Sequence, residues 1–286
     1  MPSSADELVE LLDLETIDLN LFRGTQPDTR LQRVFGGQVA AQSLVAGART
    51  AEEPLAVHSL HSYFLRPGDP SVPIIYDVER IRDGRSFATR RVVARQHGRQ
   101  IYFMTVSFQK PEDGFEHQDK MPSVPSPDES PDMAELYRRR SPETADDWMR
   151  EWAALEMRWV GDSRPGGVLP HDEHPAQSRL WVRVAGKLDD ETLTHEAAFT
   201  YLSDMTLLAS ALVPHGVAIA SPHLQSASLD HTVWFHRPFR ADEWLLYDQV
   251  SPSATGARGL AIGRVFTEDG RLVATVAQEG LIRPRP

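Results

Sequence analysis

The feature that most constrains the fold is an internal duplication of one pattern, a helix followed by four alternating segments. In the first half, residues 35–50 have helical spacing of apolar side chains, and residues 193–213 have the same spacing in the second half. The alternating segments that follow lie at 55–66, 73–82, 87–96 and 100–109, and again at 223–235, 243–252, 258–267 and 271–282. Because an offset of about 170 residues is too long for a solenoid repeat, the pattern predicts a duplicated domain with a pseudo-two-fold axis.

Short motifs support this duplication and suggest where each copy begins and ends. The run Phe64-Leu65-Arg66-Pro67 matches Phe235-His236-Arg237-Pro238 at the end of the corresponding segment. Between the copies, residues 110–177 are rich in Pro, Asp, Glu and Ser, with one helical stretch near 131–153. We therefore predict an N-terminal domain over 1–110, a connection with a helix over 111–177 and a C-terminal domain over 178–286.

Composition excludes several classes of function. The 286 residues carry a formal net charge of −11, so a nucleic-acid partner is not expected. The absence of cysteine excludes disulfides, thiol chemistry, a cysteine nucleophile and Cys-ligated metal. Nearly all basic side chains are arginines, which suits contacts to the phosphates of a small ligand.

The chain also lacks the sequence signals of a membrane protein. Its first residues, Met1 to Glu7, are polar and acidic, unlike a signal or transit peptide. No stretch approaches the ~18 uninterrupted apolar residues that would span a bilayer. We expect a cytoplasmic protein without a membrane partner.

Asp204 is the first candidate for chemistry. Helical spacing places it in register with Leu207, Leu208, Ala211 and Leu212, on the apolar side of the helix predicted over 193–213. A buried carboxylate needs hydrogen-bond donors or a raised pKa. The alternative interpretation is an aspartate at a helix start that caps free backbone N–H groups.

Ser228 and Gln278 become candidates when the two copies are compared. Ser228 lies on the polar side of its segment, opposite Ala227, Leu229, Val233 and Phe235, whereas Gln278 interrupts an apolar stripe. The positions of the first half nearest to Asp204, Ser228 and Gln278 are Gly36, Val57, and Val106 or Ser107. Because a structural role should recur in both copies, a polar trio that occurs once favours a functional role.

Other motifs point to no cofactor and no metal. His58 and His61 lie three apart on a predicted strand, so they face opposite ways and do not form a metal pair. The run His171-Asp172-Glu173-His174 looks like a set of metal ligands but lies in the Pro-rich connection. The Gly-x-Ser-x-Gly, Walker A, Gly-x-Gly-x-x-Gly and His-Glu-x-x-His motifs are absent.

Several long motifs closely resemble the type II, TesB-like acyl-CoA thioesterase family, over nearly the whole chain. They are Val34-Phe35-Gly36-Gly37-Gln38-Val39-Ala40-Ala41-Gln42, His58-Ser59-Leu60-His61-Ser62-Tyr63-Phe64-Leu65-Arg66-Pro67-Gly68, Ile74-Ile75-Tyr76-Asp77-Val78 and Ser228-Leu229-Asp230-His231-Thr232-Val233-Trp234-Phe235-His236-Arg237-Pro238. The resemblance implies an α+β double hotdog, in which each domain wraps an antiparallel sheet around a long central helix. It also implies an oligomer of this chain.

The resemblance implies a thioester hydrolase acting on medium- to long-chain fatty acyl-CoA, without a covalent intermediate, metal or cofactor. The family's catalytic Asp, Ser/Thr and Gln correspond to Asp204, Ser228 and Gln278, where Asp204 would activate a water. The acyl chain would lie in an apolar tunnel beside the helix, and CoA phosphates would meet arginines at its mouth. Weaker candidates for substrate binding are Gly36, Gly37, His58, Arg66, Arg90 and Arg237.

Gly36 and Gly37 leave the start of a helix without side chains. This fits either close approach of a substrate to the backbone or tight packing of the helix on the sheet. Two other functions stay open at this point. One is a hotdog 2-enoyl-CoA hydratase or dehydratase that uses Asp230 and His231, and the other is a non-catalytic acyl-CoA binding protein.

Overall fold

All strands of the protein join one antiparallel sheet in the computed structural model, which describes residues 1–140 and 142–285. The N-terminal half contains α1 (Ala5–Leu12), β1 (Glu15–Asp18), β2 (Leu21–Gly24), α2 (Gly36–Ala48), β3 (Ala56–Phe64), β4 (Ile74–Asp83), β5 (Phe87–Gln96) and β6 (Arg99–Gln109). Two helices follow, α3 (Met133–Arg140) and α4 (Pro142–Trp152). The C-terminal half contains β7 (Leu155–Asp162), β8 (Gln177–Val184), α5 (Thr192–Ser203), a 3₁₀ helix (Leu207–His215), β9 (Leu224–Ser228), β10 (Asp230–Phe235), β11 (Leu245–Thr255), β12 (Arg258–Thr267) and β13 (Leu272–Pro284).

The order of strands makes the internal duplication visible. The sheet runs β1-β2-β4-β5-β6-β3-β10-β13-β12-β11-β8-β7, and β9 pairs with β13 beside this path. Read from either end, the two halves have the same order and meet at β3 and β10. His61 pairs with Thr232 at this junction, and the matched motifs make these two residues equivalent. The pseudo-two-fold axis therefore passes through the middle of the sheet.

Helices cover the inner face of the sheet in both halves. The helix α2 packs on β4, β5 and β6, and the 3₁₀ helix packs on β11, β12 and β13 in the equivalent place. The helix α5 packs against α2 and so makes a second contact between the halves besides the β3–β10 pair. These helices and the inner sheet residues form the main hydrophobic core.

The single helix predicted over 193–213 is wrong, because the chain breaks between Ser203 and Leu207. Asp204 ends α5, and the tighter 3₁₀ helix begins three residues later. Both segments are almost entirely buried, so the apolar pattern runs through the break and periodicity does not reveal it.

The connection predicted over 111–177 contains more structure than one helix. Its helical stretch forms α3 and α4 on either side of residue 141, which lies outside the described residues. Its last part forms β7, which pairs with β8 at the edge of the C-terminal half. Its earlier part crosses the outer face of that half, where the Pro125 carbonyl accepts a hydrogen bond from Trp181 Nε1 at 2.9 Å. The domain boundaries at 110 and 177 stay a prediction.

One described segment, Thr192–His215, has the length and apolar composition of a membrane-spanning helix. Of its most apolar window, 72% is buried inside the protein, as in the core helices of water-soluble proteins. The segment consists of α5 and the 3₁₀ helix, separated by the break at Asp204.

Candidate functional site

Four elements converge on Asp204. It is the residue that ends α5, whereas the sequence predicted it inside a longer helix. The start of α2 faces it from the N-terminal half, and β9 and β13 bring Ser228 and Gln278 to it from the sheet. The site therefore lies where the two halves meet.

The three polar side chains of the predicted trio form a closed set of hydrogen bonds. Gln278 Nε2 donates to Asp204 Oδ1 at 2.5 Å and to Ser228 Oγ at 2.9 Å. Ser228 Oγ donates to Asp204 Oδ1 at 3.4 Å. Because an ionised carboxylate only accepts hydrogen bonds, the amide must present its NH₂ group to Asp204. The amide Oε1 of Gln278 is buried and has no partner among the described residues.

Ser228 reaches the site because the strand predicted over 223–235 is interrupted. Leu229 separates β9 from β10, and the pairing with β13 shifts by one residue there: Ser228 pairs with Gly280, but Thr232 pairs with Ala277. One extra residue reverses the inward and outward alternation. Ser228 therefore lies on the same inner face as Val233, not on the opposite face as simple alternation predicted.

The start of α2 supplies a further donor to Asp204. The backbone N–H of Gly37 donates to its carboxylate, and a Cβ added to Gly36 would lie 2.5 Å from Asp204 Oδ2. A Cβ added to Gly37 would lie 2.2 Å from the Tyr201 carbonyl oxygen. Both glycines therefore allow α2 to approach the end of α5, and Gly36 also allows it to approach the Phe64 ring of β3. Asp204 does cap free N–H groups at a helix start, but the helix belongs to the other half.

Burial raises the pKa of Asp204 to about 6, although hydrogen bonds from Gln278, Ser228 and Gly37 each lower it. Desolvation disfavours the ionised carboxylate, whereas the donors and the positive end of α2 favour it. A carboxylate with a pKa near 6 is ionised at neutral pH and is a stronger base than an ordinary aspartate. This property suits a general base.

The sheet register identifies the equivalents of the trio in the N-terminal half. Gln278 pairs with Ala261, and at the equivalent place Val106 pairs with Arg90, which decides between Val106 and Ser107. By the same comparison Ser228, opposite Gly280, is equivalent to Val57, opposite Phe108. The equivalents of two polar catalytic candidates are thus buried valines.

Arg90 does not fit its predicted role in substrate binding. Its side chain is fully buried and donates to Thr50 Oγ1 at 2.9 Å and to the Thr50 and Arg82 carbonyls at 3.0 Å each. It also forms an ion pair with Asp83. Arg90 therefore joins the end of α2 to the β4–β5 hairpin and is not accessible to a ligand.

Arg66 and Arg237 make the same structural contact in the two halves. Arg66 donates to the Gln100 carbonyl at 2.7 Å, and Arg237 donates to the equivalent Leu272 carbonyl at 2.9 Å. Arg66 follows by two residues Phe64, whose ring contacts Gly36. Its exposed side chain lines a surface pocket with Arg99 and Gln100.

His58 lies at the opposite end of β3 from Phe64. Its Nε2 is 2.8 Å from Ser107 Oγ, and its ring packs edge-on against Phe87. His58 is the register equivalent of Leu229, and β3 has an irregularity at this position as well. The structure does not bring His58 to the trio.

Asp230 and His231 do not form a catalytic pair. Asp230 Oδ1 accepts the backbone N–H of Glu279 at 2.7 Å, whereas the fully buried His231 contacts Ser203 Oγ at 2.8 Å. Neighbouring residues of a strand point to opposite faces of the sheet. This separation argues against the dehydratase alternative.

Sequence reasoning did not place Ser203 and Tyr247 next to the site. Ser203 precedes Asp204, and its carbonyl accepts the Tyr247 hydroxyl at 3.1 Å. The sequence could have pointed to them only as polar residues within apolar segments. Because buried polar residues occur throughout the chain, that signal is not specific. Within the part of the chain that the structure describes, no group of three or more His, Asp or Glu side chains could hold a metal ion.

Comparison with known proteins agrees with the motifs. Residues 158–281 match a family described as acyl-CoA thioesterase, and residues 25–109 match the acyl-CoA thioesterase N-terminal domain. The chain is 39% identical to acyl-CoA thioesterase 2 of Haemophilus influenzae, with 99% of each protein covered.

Two solved structures have the same arrangement of elements. Acyl-CoA thioesterase II TesB2 of Mycobacterium marinum is 46% identical, with a TM-score of 0.83 over 96% of this chain and 97% of that one. A protein of Alicyclobacillus acidocaldarius, described as having a hot dog fold, is 22% identical, with a TM-score of 0.75 over 96% of this chain and 97% of that one. The predicted α+β double hotdog fold and the resemblance to the TesB-like family are confirmed.

Proposed function

Because the chain belongs to the acyl-CoA thioesterase family, we propose that it hydrolyses medium- to long-chain fatty acyl-CoA to free fatty acid and CoA. Thioester hydrolysis is the activity of this family, and the protein is therefore a thioester hydrolase. The chain length of the substrate and the roles of individual residues belong to the proposal.

Asp204 acts as the general base in the proposed mechanism. Its carboxylate takes a proton from a water molecule while the water oxygen attacks the thioester carbonyl carbon. The bond between that carbon and sulfur then breaks, and CoA leaves as the thiol after it receives the proton. No covalent bond forms between the acyl group and the protein.

The neighbours of Asp204 orient its carboxylate and the water. Gln278 and Ser228 both donate to Oδ1, and Oδ2, which lies against the start of α2, is the oxygen that accepts the water proton in this proposal. The unpartnered Oε1 of Gln278 is a second acceptor for a water proton. The Gly37 N–H is taken by Asp204, and other backbone N–H groups in the first turn of α2 polarise the thioester carbonyl, as donors at a helix start stabilise a developing oxyanion.

The single observation that carries this mechanism is the buried carboxylate of Asp204, held by three donors from three different elements. The test measures thiol release from palmitoyl-CoA with a thiol reagent, to which this cysteine-free protein contributes no background. Asp204→Asn should lower kcat by about 10²–10⁴-fold, the usual contribution of a general base. An unchanged rate would contradict the mechanism but not the family assignment.

The pH dependence gives a second test of the same residue. Because Asp204 must be ionised to accept a proton and its pKa is raised to about 6, kcat/KM should be half-maximal near pH 6 and level off about one pH unit above it. The raised pKa also means that the folded state binds more protons than the unfolded state between about pH 4 and pH 6, so stability falls as pH rises across this range and burial of the carboxylate costs stability at neutral pH. Asp204→Asn should therefore unfold at a temperature no lower than that of the wild type.

We also place the phosphates of CoA near Arg66 and Arg99, on the basis of their exposed side chains, which line one surface pocket. Replacing both arginines with glutamine should raise KM several-fold and leave kcat within twofold, because phosphate contacts contribute equally to ground-state and transition-state binding. Turnover of acyl-pantetheine, which lacks these phosphates, should not change. A fall in kcat alone would contradict this placement.

The protein is further proposed to form a homo-oligomer. Tyr63 and Trp234 are equivalent residues beside the pseudo-two-fold axis on the outer face of the sheet, and 53% and 36% of their surfaces are exposed. Light scattering coupled to size-exclusion chromatography should give a mass of two or more chains of 32.1 kDa, whereas a mass of one chain would contradict the oligomer. The cytoplasmic location stays a prediction that cell fractionation would test.

A further inference from the structure

A buried polar cluster lies directly behind the catalytic aspartate and takes no part in the mechanism above. His231 Nε2 lies 2.8 Å from Ser203 Oγ, and Ser203 is bonded through the backbone to Asp204. Both His231 and Ser203 are fully buried. The cluster is therefore part of the rigid support of the site and not of its solvent-exposed surface.

The hydrogen bonds of Ser203 decide which group donates. Ser203 Oγ donates its only proton to the Thr200 carbonyl at 2.9 Å, so it accepts from His231 Nε2. His231 is then the neutral tautomer with a proton on Nε2. Burial lowers its pKa to about 4, which keeps the ring neutral throughout the working pH range.

Partners on several elements hold this pair. The Ser203 carbonyl accepts the Tyr247 hydroxyl from β11 at 3.1 Å. The His231 carbonyl accepts the Ser62 hydroxyl from β3 at 2.7 Å, a contact that links the two halves. Ser203 is thus held by β10 through its side chain and by β11 through its carbonyl.

His231 is polar although its position in the fold does not require a polar residue. Its Nδ1 is buried and has no hydrogen-bond partner in the described parts of the chain, which costs about 1–3 kcal/mol for a group of this kind. Leu60 is the equivalent residue of the N-terminal half, and it is equally buried. An apolar side chain therefore fills the same place where no catalytic aspartate is nearby.

We propose that His231 is a positioning residue for thioester hydrolysis, which fixes Asp204 by holding Ser203 through its Nε2–H group. The inference rests on the proposed function of Asp204. When this hydrogen bond is lost, the end of α5 shifts, and Asp204 moves away from its donors Gln278, Ser228 and Gly37. Misplacement of a catalytic group by about 1 Å costs about a hundredfold in rate.

The pair does not itself have the arrangement of a nucleophile and its base. Ser203 directs its proton at a helix carbonyl, and no carboxylate holds His231 Nδ1. A fluorophosphonate reagent should therefore leave Ser203 unlabelled. Labelling at Ser203 would show that Ser203 is a nucleophile, and it would contradict the positioning role of His231.

The experiment compares His231→Leu with His231→Gln in the full-length protein, with palmitoyl-CoA as substrate. Leucine is the residue of the equivalent position and removes the donor, whereas the glutamine amide can restore an N–H group near the place of Nε2. We expect His231→Leu to lower kcat by about 10–100-fold with KM within threefold, and His231→Gln to recover most of kcat. Thermal unfolding and circular dichroism establish that each variant is folded.

Two equivalent tyrosines give a matched control. Tyr247→Phe removes the hydrogen bond to the Ser203 carbonyl, and Tyr76→Phe removes the equivalent hydroxyl, which donates to Gln42 Oε1 at 2.6 Å. Both variants lose one buried hydrogen bond, so their stabilities should fall by similar amounts. Only Tyr247→Phe should lower kcat, by several-fold.

The pH profile separates positioning from general destabilisation. The titratable groups that face Asp204 are the phenols of Tyr102 and Tyr247, which stay protonated because burial raises their pKa values. Loss of the donors to Asp204 raises its pKa, so the acidic limb of kcat/KM should move to higher pH in His231→Leu. An unshifted profile, or equal loss of kcat in the leucine and glutamine variants, would overturn the proposal. If the wild type releases no thiol, the proposed function itself fails, a result that differs from either of these.

Discussion

The two halves of the molecule share one arrangement of strands but use the same inner positions differently. Val57, Leu60 and Val106 of the N-terminal half correspond to Ser228, His231 and Gln278 of the C-terminal half. All three of the former are apolar and buried, and the latter include the hydrogen-bonding partners of Asp204. One copy therefore has only apolar core residues at these positions, whereas the other has polar groups that bind or support Asp204.

Neither half can form the site by itself. The C-terminal half supplies the carboxylate and its side-chain donors, and the N-terminal half supplies the start of α2 and the ring of Phe64. The packing of α2 against α5 brings the end of α5 to the start of α2, so that Asp204 meets Gly36 and Gly37 of the other half.

The largest effect is expected when the residue of the N-terminal half is placed in the C-terminal site. Gln278→Val removes the amide that donates to both Asp204 and Ser228, so kcat should fall about 10²–10³-fold. Steady-state thiol release gives the measurement. The reciprocal variant Val106→Gln should gain no activity and lose about 1–3 kcal/mol of stability, because its buried amide has no partner.

A somewhat smaller effect is expected at the contact between the halves. Gly36→Ala adds a Cβ 2.5 Å from Asp204 Oδ2 and 2.8 Å from the Phe64 ring, so the carboxylate must move and kcat should fall about a hundredfold. Gly114→Ala is the matched control, since no atom lies within 4 Å of its added Cβ. Comparable activity in the two variants would mean that the close approach of α2 is unimportant for catalysis.

The hydroxyl of Ser228 should contribute less, because its hydrogen bond to Asp204 is 3.4 Å long. Ser228→Val, which copies Val57, should lower kcat about 10–30-fold, in line with the loss of one hydrogen bond to a charged group. Ser228→Thr retains the hydroxyl and should stay within about threefold of the wild type. If valine and threonine variants are equally active, the hydroxyl has no role.

Arg90 should affect stability and not activity. Its equivalent in the C-terminal half is Ala261, and Arg90→Ala leaves the Thr50 and Arg82 carbonyls without their donor. Denaturant unfolding should show a loss of about 2–4 kcal/mol, because several buried groups lose their partners together. The kcat of the folded variant should remain within twofold. A selective rise in KM would restore Arg90 as a substrate-binding residue.

Much of the fold could be predicted because it depends on local periodicity. The strand segments of the first half agree with β3 to β6 within a few residues, and the duplication is repeated in the sheet order. The break at Asp204 and the irregularity at Leu229 were missed, since buried segments remain apolar on both sides of such interruptions. These two interruptions place the side chains of Asp204 and Ser228 next to each other.

The sequence by itself determined the duplication, the family and the polar trio, because repeats, motifs and an unmatched set of polar residues are properties of residue order. Only the tertiary structure decided that α2 of one half meets Asp204 of the other, that Arg90 is buried and that His231 lies behind Ser203. Those relations join residues far apart in the chain. They depend on the sheet register and on how closely the helices pack, which no local pattern encodes.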